Sequence, residues 1–463
     1  MAGHVRRGQA PLPNDNMKKV EITRIVDSAQ TFGLPLYITV LTTFITLVDG
    51  YDLQTMSFVA PELITDWGVT RSMLTPVLTG SLIGMAVGSI LLGWLGDRVG
   101  RKNSYVVCIA FLFAGSALSA NAVGLWDLFA WRVLTGIGLG GITPLAATLV
   151  AEWTPQRSRS VAVACAIVAI PLGGMLGAQV AQWILPAYGW RMIFYIGAGL
   201  PFALFFVAWR LIPESPQFLA QNVLRHPQLA RTLNRLIGEH RFDGTEMFYV
   251  DEPPRAPGNW LLIIMTPPYR RTTLILWAAF ACNTLALYAF VNWLPTIITS
   301  VGLPRDVALR GATFLNLGGF FGSVGGAVLI GYLGSRMVGT TLALAGGLAT
   351  IFIGMALMGH APEATTTFFP AILLIGAAVN GMQSFIYTVA AHSYPSHIRS
   401  AGVGCAQTVS RVGGVLSSAV SGTYFAIKPP PPVSSFFYTV AAVILVVAVS
   451  FFSLRTHILA RRV

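Results

Sequence analysis

Charge is scarce in this chain of 463 residues. Asp, Glu, Lys and Arg make up 10% of it, against about 25% in soluble domains. Cysteine is limited to Cys108, Cys165, Cys282 and Cys405. All four fall inside apolar runs without metal-ligand spacing, so they are expected to pack as small apolar residues rather than form disulfides. The seven histidines make no ligand cluster, and no nucleophile stands beside a base. A membrane enzyme is therefore disfavoured, and neither metal nor cofactor is expected. A receptor or sensor would bring a further soluble domain, for which the one long polar interior segment is too short and Pro-rich.

What fills the chain instead is apolar. Hydrophobic residues account for 54%, and the mean hydropathy is +0.66. Crossing ~30 Å of hydrocarbon takes about 20 helical residues. Twelve runs qualify, near 35–60, 73–95, 104–123, 126–150, 161–185, 190–212, 271–298, 310–334, 338–359, 367–391, 400–427 and 434–454. An all-α membrane protein of two six-helix bundles is expected. The division is a tail at 1–34, a bundle at 35–212, a linker at 213–270, a second bundle at 271–454 and a tail at 455–463. No cleavable leader is evident before the first run.

The net charge of +12 follows this plan. Of the 30 Lys and Arg, 22 fall in the tails, the linker and the loops on their side, five fall in the opposite loops, and three lie within spans. That bias places both termini in the cytoplasm. It orients the chain in a lipid bilayer and calls for no nucleic-acid partner.

The chain also repeats itself. Ala151–Ser160 matches Ala391–Ser400 at an offset of 240, and Gly173-Gly174 falls on Gly413-Gly414 at the same offset. Gly93–Arg98 matches Gly331–Arg336 at 238, and Pro61–Gly68 echoes Pro295–Gly302 at 234. Six spans, a linker and six spans form a parallel repeat, with a solute path expected between the halves. Within the linker, a weak helix over 216–238 is expected to rest Phe218, Leu219, Val223 and Leu233 on the membrane surface.

Two carboxylates sit where they are least welcome. Asp49-Gly50-Tyr51-Asp52 lies inside the first apolar run, and an acid near the bilayer centre costs about 3 kcal/mol on insertion scales. Such residues persist where they face a cavity, a buried cation or a proton route. Counting ~1.5 Å per residue, Asp49 lies about 21 Å into its span, and Arg132 lies about 9 Å from the opposite end of the fourth, at a similar level. Arg411 lies ~16 Å into the eleventh span, near the midplane. No acid occurs in the second-half spans to neutralise it. Its planar fork of donors suits a carboxylate ligand, and Arg132 is next in line for that role.

Gly93-Trp-Leu95-Gly-Asp97-Arg98-Val-Gly100-Arg101-Lys102 fills every position of the G-x-L-x-D-R-x-G-R-K loop signature of the major facilitator superfamily, which the chain resembles over nearly its whole length. Asp97 is expected to pair with cations of its own loop or cap a neighbouring helix, forming a conformational latch with Arg399. The second-half copy is degraded, with Ser335 in place of the acid. Asp49-Gly-Tyr-Asp52 is similar to the D-G-x-D signature of the aromatic acid:proton symporters. That family also has counterparts to Arg132, Glu152, Tyr394-Pro395, Arg399, Gly402-Val-Gly404, Arg411 and Gly413. The histidine it carries near the eighth–ninth loop has no match in 331–341.

The resemblance implies a monomeric inner-membrane transporter that imports a small aromatic carboxylate with a proton. Asp49, Asp52, Arg132 and Glu152 form the expected coupling set. Arg411, Arg132, Tyr51, Tyr288, Asn292, Gln383 and Tyr387 form the expected substrate set. Trp293, Phe314 and Phe385 are further aromatic candidates, and Asn283, Asn316, Asn380 and Gln407 further readers of ring hydroxyls. The alternative is a facilitator carrier for another small solute, a sugar or organic ion. Pro213-Glu214-Ser215-Pro216 resembles a segment of those carriers, but their closing P-E-T word is missing.

Overall fold

The computed structural model describes residues 19–250, 263–358, 365–394, 396–427, 432–454 and 458. Among the described residues, eleven helices are long and apolar enough to cross a membrane by length and composition. In chain order the first six spans are Leu34–Asp66, Thr75–Val99, Arg101–Ala120, Leu125–Trp153, Gln156–Tyr188 and Trp190–Leu211. The seventh to ninth are Pro267–Ser300, Arg305–Leu333 and Ser335–Met358, and the tenth covers Thr367–Ser393. After the eleventh comes the last, Val433–Ser453. The eleventh helix, Ser396–Ala426, is long enough at 31 residues. Gln407, Thr408, Ser410, Arg411, Ser417, Ser418 and Ser421 keep it less apolar than the rest. Polar helices in such bundles face the interior rather than lipid.

Helices overrun their apolar runs. The first and fifth spans each have 33 residues, about 50 Å at 1.5 Å per residue, against a ~30 Å hydrocarbon core. We call the face where the first span begins proximal and the opposite face distal.

The repeat is built into the packing. In the first half, span 1 packs on span 5, span 2 on span 4, and span 3 on span 6; spans 7 and 11, 8 and 10, and 9 and 12 do the same in the second. Between halves, span 5 lies on span 8 and span 2 on span 11, with span 1 touching span 7. The crossings depend on glycine. A side chain on Gly173 would run into the Leu47 carbonyl, and one on Gly413 into the Ala281 carbonyl. These are the same contact, because offsets of 240 and 234 carry Gly173 to Gly413 and Leu47 to Ala281. Gly50, between the two acids, meets the Ile170 carbonyl in the same crossing.

A small cap closes the proximal face of the first half. Lys19–Glu21 pairs in parallel with Met247–Tyr249, and the helices Ile22–Ser28 and His226–Ile237 contribute to the same buried cluster. Ile22, Ile25 and Val26 share one buried cluster with Leu219, Leu229, Leu233 and Trp153. The tail is tied to the fifth span, whose Gln156 N–H donates to Asp27 at 2.8 Å, with Arg159 3.3 Å from the same carboxylate. This corrects the expectation of a helix lying on the membrane. Phe218, Leu219 and Leu233 are buried in protein, and of the four named residues Val223 alone is exposed. The apolar face found a partner in a tail some two hundred residues earlier, which local periodicity cannot reveal.

Lengthening Gly173 to leucine should force spans 1 and 5 apart and lower stability by about 1–3 kcal/mol or more. Thermal unfolding of detergent-purified protein measures this. Gly199→Ala, where no atom lies within 4 Å, should leave the midpoint unchanged.

Candidate functional site

The two acids of the first span part company. Three helical residues turn the chain through 300°, so the carboxylates diverge by about 60° and are offset by ~4.5 Å along the axis. Asp52 turns into the first half, where Arg132 Nη2 lies 3.0 Å from Oδ2 and the side chains of both residues are fully buried. Arg132 Nη2 also donates to the Asp52 carbonyl at 3.2 Å, Nε to Ser81 Oγ at 3.0 Å, and Ser116 Oγ to Asp52 Oδ1 at 2.5 Å. The Phe194 ring lies 5.8 Å from the guanidinium carbon. Arg132 and Asp52 therefore neutralise one another and do not line the central cavity.

Asp49 turns the other way. It accepts from Thr143 Oγ1 at 3.1 Å, and no cation comes within ion-pair distance among the described residues. It lines a central cavity between the halves, with about 200 Å³ open to the centres of water-sized spheres. Asp49 comes from span 1, Thr143 from span 4, Tyr288 from span 7, and Asn380, Gln383 and Tyr387 from span 10; Ser410 and Arg411 come from span 11. Spacings of three and four residues bring 284, 287, 288 and 291 to one face of the seventh span, and 380, 383, 384 and 387 to one face of the tenth. Arg411 makes no ion pair or hydrogen bond among the described residues. Asp49 and Arg411 are the charged residues of this lining.

The repeat explains how the site is divided. Offsets of 234 and 240 carry Asp49 to Asn283 and Thr143 to Gln383. Asn283 Nδ2 donates to Gln383 Oε1 at 2.8 Å, the counterpart of the Thr143–Asp49 bond. The first half holds the acid where the second holds a neutral amide. Conversely, Arg411 corresponds to Pro171, which also lines the cavity. The buried pair has no second-half copy, since Ala286 and Ile372 occupy the matching positions.

Other expected substrate residues lie elsewhere. Tyr51 is buried in the first half, with its hydroxyl donating to the Ile193 carbonyl at 2.9 Å. Asn292 donates to Ser418 Oγ at 3.0 Å, away from the cavity. Trp293, Phe314 and Phe385 pack on Phe425, Phe369 and Phe451. Tyr288 and Tyr387 are the aromatic residues of the lining.

At the proximal face, the Arg101 guanidinium pairs with Asp97, and its Nε lies 3.8 Å from Glu152. Ser215 Oγ donates to Glu152. Glu214 caps the third span by accepting the Lys102 N–H at 3.0 Å. Gly100 allows this cap, because its φ of 114° and the closeness of the Glu214 carboxylate both exclude a side chain. Arg98 stacks on Trp94, 4.2 Å from the ring centre. Glu152 thus belongs to the loop cluster, not with the membrane acids. It lies nine residues beyond Thr143, about 14 Å along the fourth span. Glu214 and Ser215 were visible in the Pro-Glu-Ser-Pro word but not assigned to this cluster. Pro395 and the Arg399 side chain lie outside the described residues.

From the cavity outward to the distal end, the halves meet through polar contacts. Gln54 and Asn316 exchange two amide hydrogen bonds, of 2.7 and 2.8 Å. Gln179 Nε2 donates to Thr313 at 3.3 Å, and Arg305 lies 2.7 Å from Glu62. Among the described residues, no hydrogen bond or ion pair joins the halves at the proximal end.

A bundle of membrane-length helices in two repeated halves, with a largely apolar cavity between them that carries one acid and one guanidinium, is the architecture of a transporter rather than an enzyme. The chain belongs to the major facilitator superfamily, whose family model matches residues 42–418. It is 30% identical over 416 residues to the gallate transporter of Pseudomonas putida, covering 88% of this chain and 89% of that one. It is 34% identical over 385 residues to the 4-hydroxybenzoate transporter PcaK of Acinetobacter baylyi, covering 81% of each. The fold is shared with the partially occluded inward-open xylose transporter XylE from E. coli, with a TM-score of 0.71 at 15% identity, covering 93% of this chain and 99% of that one.

The two acids should separate in stability measurements. Asp52→Asn leaves Arg132 buried without its counter-charge and should destabilise the protein by about 3–5 kcal/mol. Asp49→Asn breaks no ion pair and should leave thermal unfolding close to wild type. Equal midpoints for the two variants would contradict the assignment.

Proposed function

We propose that this chain imports small aromatic carboxylates together with protons across the cytoplasmic membrane, by alternating access between bundles at 35–212 and 271–454. The observation that carries this reading is Arg411, a guanidinium without an ion-pair or hydrogen-bond partner among the described residues, in a cavity walled by Tyr288 and Tyr387. A planar fork takes a carboxylate in bidentate fashion, and tyrosine faces take an aromatic ring. A sugar needs no unpaired cation, and an organic cation would be repelled by one. The gallate and 4-hydroxybenzoate carriers among the relatives support the same substrate class.

Charge balance in the cavity supplies the coupling. When the carrier is empty, Asp49 as carboxylate and Arg411 as cation cancel. When substrate carboxylate sits on Arg411 and a proton on Asp49, they cancel again. With substrate alone or proton alone, one net charge is left in a low-dielectric enclosure, which is costly to occlude. Carriers that are empty or doubly loaded therefore change conformation, and one proton moves with each monovalent acid. Asp52 and Arg132 serve as a fixed pair that holds the first span in place.

The Lys and Arg distribution makes the proximal face cytoplasmic, with both termini there. The distal contacts then close the external side, so this conformation faces inward. The Asp97–Arg101–Glu152 cluster and the Glu214 cap act as a brace within the first half, and outward opening is expected to break the Gln54–Asn316 and Glu62–Arg305 contacts.

Direct binding measurements on purified protein test the anion site. Arg411→Ala and Arg411→Lys should each weaken benzoate or 4-hydroxybenzoate binding, by roughly 30-fold or more for loss of a charge-assisted pair worth ~2–5 kcal/mol. Unchanged affinity in both variants would remove Arg411 from the site.

Coupling is tested in proteoliposomes. Wild-type protein should accumulate labelled substrate under an inward proton gradient and lose accumulation with an uncoupler. Asp49→Asn balances charge only when loaded. It should retain exchange of external for internal substrate while losing gradient-driven accumulation. Uncoupler-sensitive accumulation at wild-type rates in this variant would exclude Asp49 as the proton carrier.

A further inference from the structure

The tenth span departs from regular helix at one place beside the cavity. Ala377–Gly381 form a π-helical turn between Thr365–Gly376 and Met382–Ser393. Such a turn shifts the backbone register and recurs at functional sites. Here the Val379 carbonyl accepts a hydrogen bond from Asn283 Nδ2 at 3.0 Å, which pins the turn to the seventh span. Asn380 lies over Gly319, where an added side chain would come within 2.7 Å of the Asn380 Cβ. The turn and that glycine together set Asn380 in the cavity wall.

The amides around the cavity differ in what they have left to offer. Gln54 and Asn316 engage each other at both ends of their amides, and Asn316 also donates to the Ala312 carbonyl. Gln383 accepts from Asn283 and lies 3.3 Å from Ser410. The Asn380 side chain makes a single hydrogen bond among the described residues, from Nδ2 to Asn316 Oδ1 at 3.2 Å. One donor hydrogen and the acceptor oxygen of Asn380 remain for a ligand. It stands three residues, a little under one helical turn, before Gln383, about 4.5 Å along the axis. Gln383 in turn reaches Ser410, next to Arg411. Asn380 and Arg411 thus line one cavity, linked through Gln383 and Ser410.

Resting on the aromatic-acid reading above, we propose that Asn380 is the specificity-determining residue that distinguishes ring-hydroxylated acids from unsubstituted ones. A phenolic hydroxyl donates to its oxygen and accepts from its free N–H. An unsubstituted ring leaves both unpaired, and a site built to bond a hydroxyl rejects the analogue that lacks one.

The test is calorimetric binding of benzoate, 3-hydroxybenzoate and 4-hydroxybenzoate to purified wild type and Asn380→Leu. Wild type should prefer at least one hydroxylated acid by ~10-fold or more. The leucine variant should lose that preference through weaker binding of the hydroxylated acid, with benzoate held within about twofold. Retained benzoate affinity shows that the variant is folded, and Asn380→Ala replaces it where leucine disturbs the turn. Parallel weakening of all three acids in both variants, or an unchanged preference, overturns the assignment. Wild-type protein that binds the acids without preference overturns it while leaving the aromatic-acid reading intact. Failure to bind any of them removes both.

Discussion

Every charge held inside this bundle has to be cancelled where water is scarce, and the rest of the site follows from how that is done. An uncompensated ion in a low-dielectric interior is penalised by several kcal/mol even after relaxation. The chain meets this in two ways. Asp52 and Arg132 cancel permanently, with both side chains fully buried and the guanidinium engaged by Asp52 and Ser81. Asp49 and Arg411 stand in the same cavity on different halves, where a proton and an anion can complete the balance. The first pair is closed to the cavity, and the second is the one the proposed coupling uses.

The close crossings make this arrangement possible. Gly50 and Gly173 bring spans 1 and 5 into backbone contact, and Gly413 repeats the contact between spans 11 and 7. Helices that approach so nearly behave as rigid units, so the two halves can rock against one another without internal rearrangement. Duplication then supplied two copies of one cavity wall, and substitution made them complementary. Asp49 with Thr143 corresponds through the repeat to Asn283 with Gln383, an acid in the place of an amide on the same scaffold.

The loop signature acquires a concrete role in the same way. Gly100 adopts a φ of 114° and makes room for the Glu214 carboxylate, which caps the third span. Asp97, Arg101, Glu152 and Ser215 extend that contact to the fourth span and the linker. The N-terminal strand and helix complete the cap by pairing with linker residues that follow all six first-half spans. These contacts bind the first half together at its proximal face, while the distal contacts bind one half to the other.

Much of this was legible in the residues alone. Apolar runs and the repeat offsets are local or statistical properties, so they determined the helices and their repeated packing, while the bias of Lys and Arg carries the proposed orientation. The Asp-Gly-Tyr-Asp word and the isolated Arg411 marked the chemistry, because ionisable groups in membrane spans are rare and need a reason. Which acid met which cation was decided by the tertiary structure. Depth along a helix placed Arg132 level with both acids, but a 60° difference in direction sent Asp52 to Arg132 and Asp49 to the cavity. Tyr51 and Asn292 turned away for the same rotational reason, and Glu152 lay about 14 Å along the fourth span from Thr143, the partner of Asp49. Rotation about a helix axis depends on which neighbour each face packs against. That is a long-range property, and only the assembled bundle contains it.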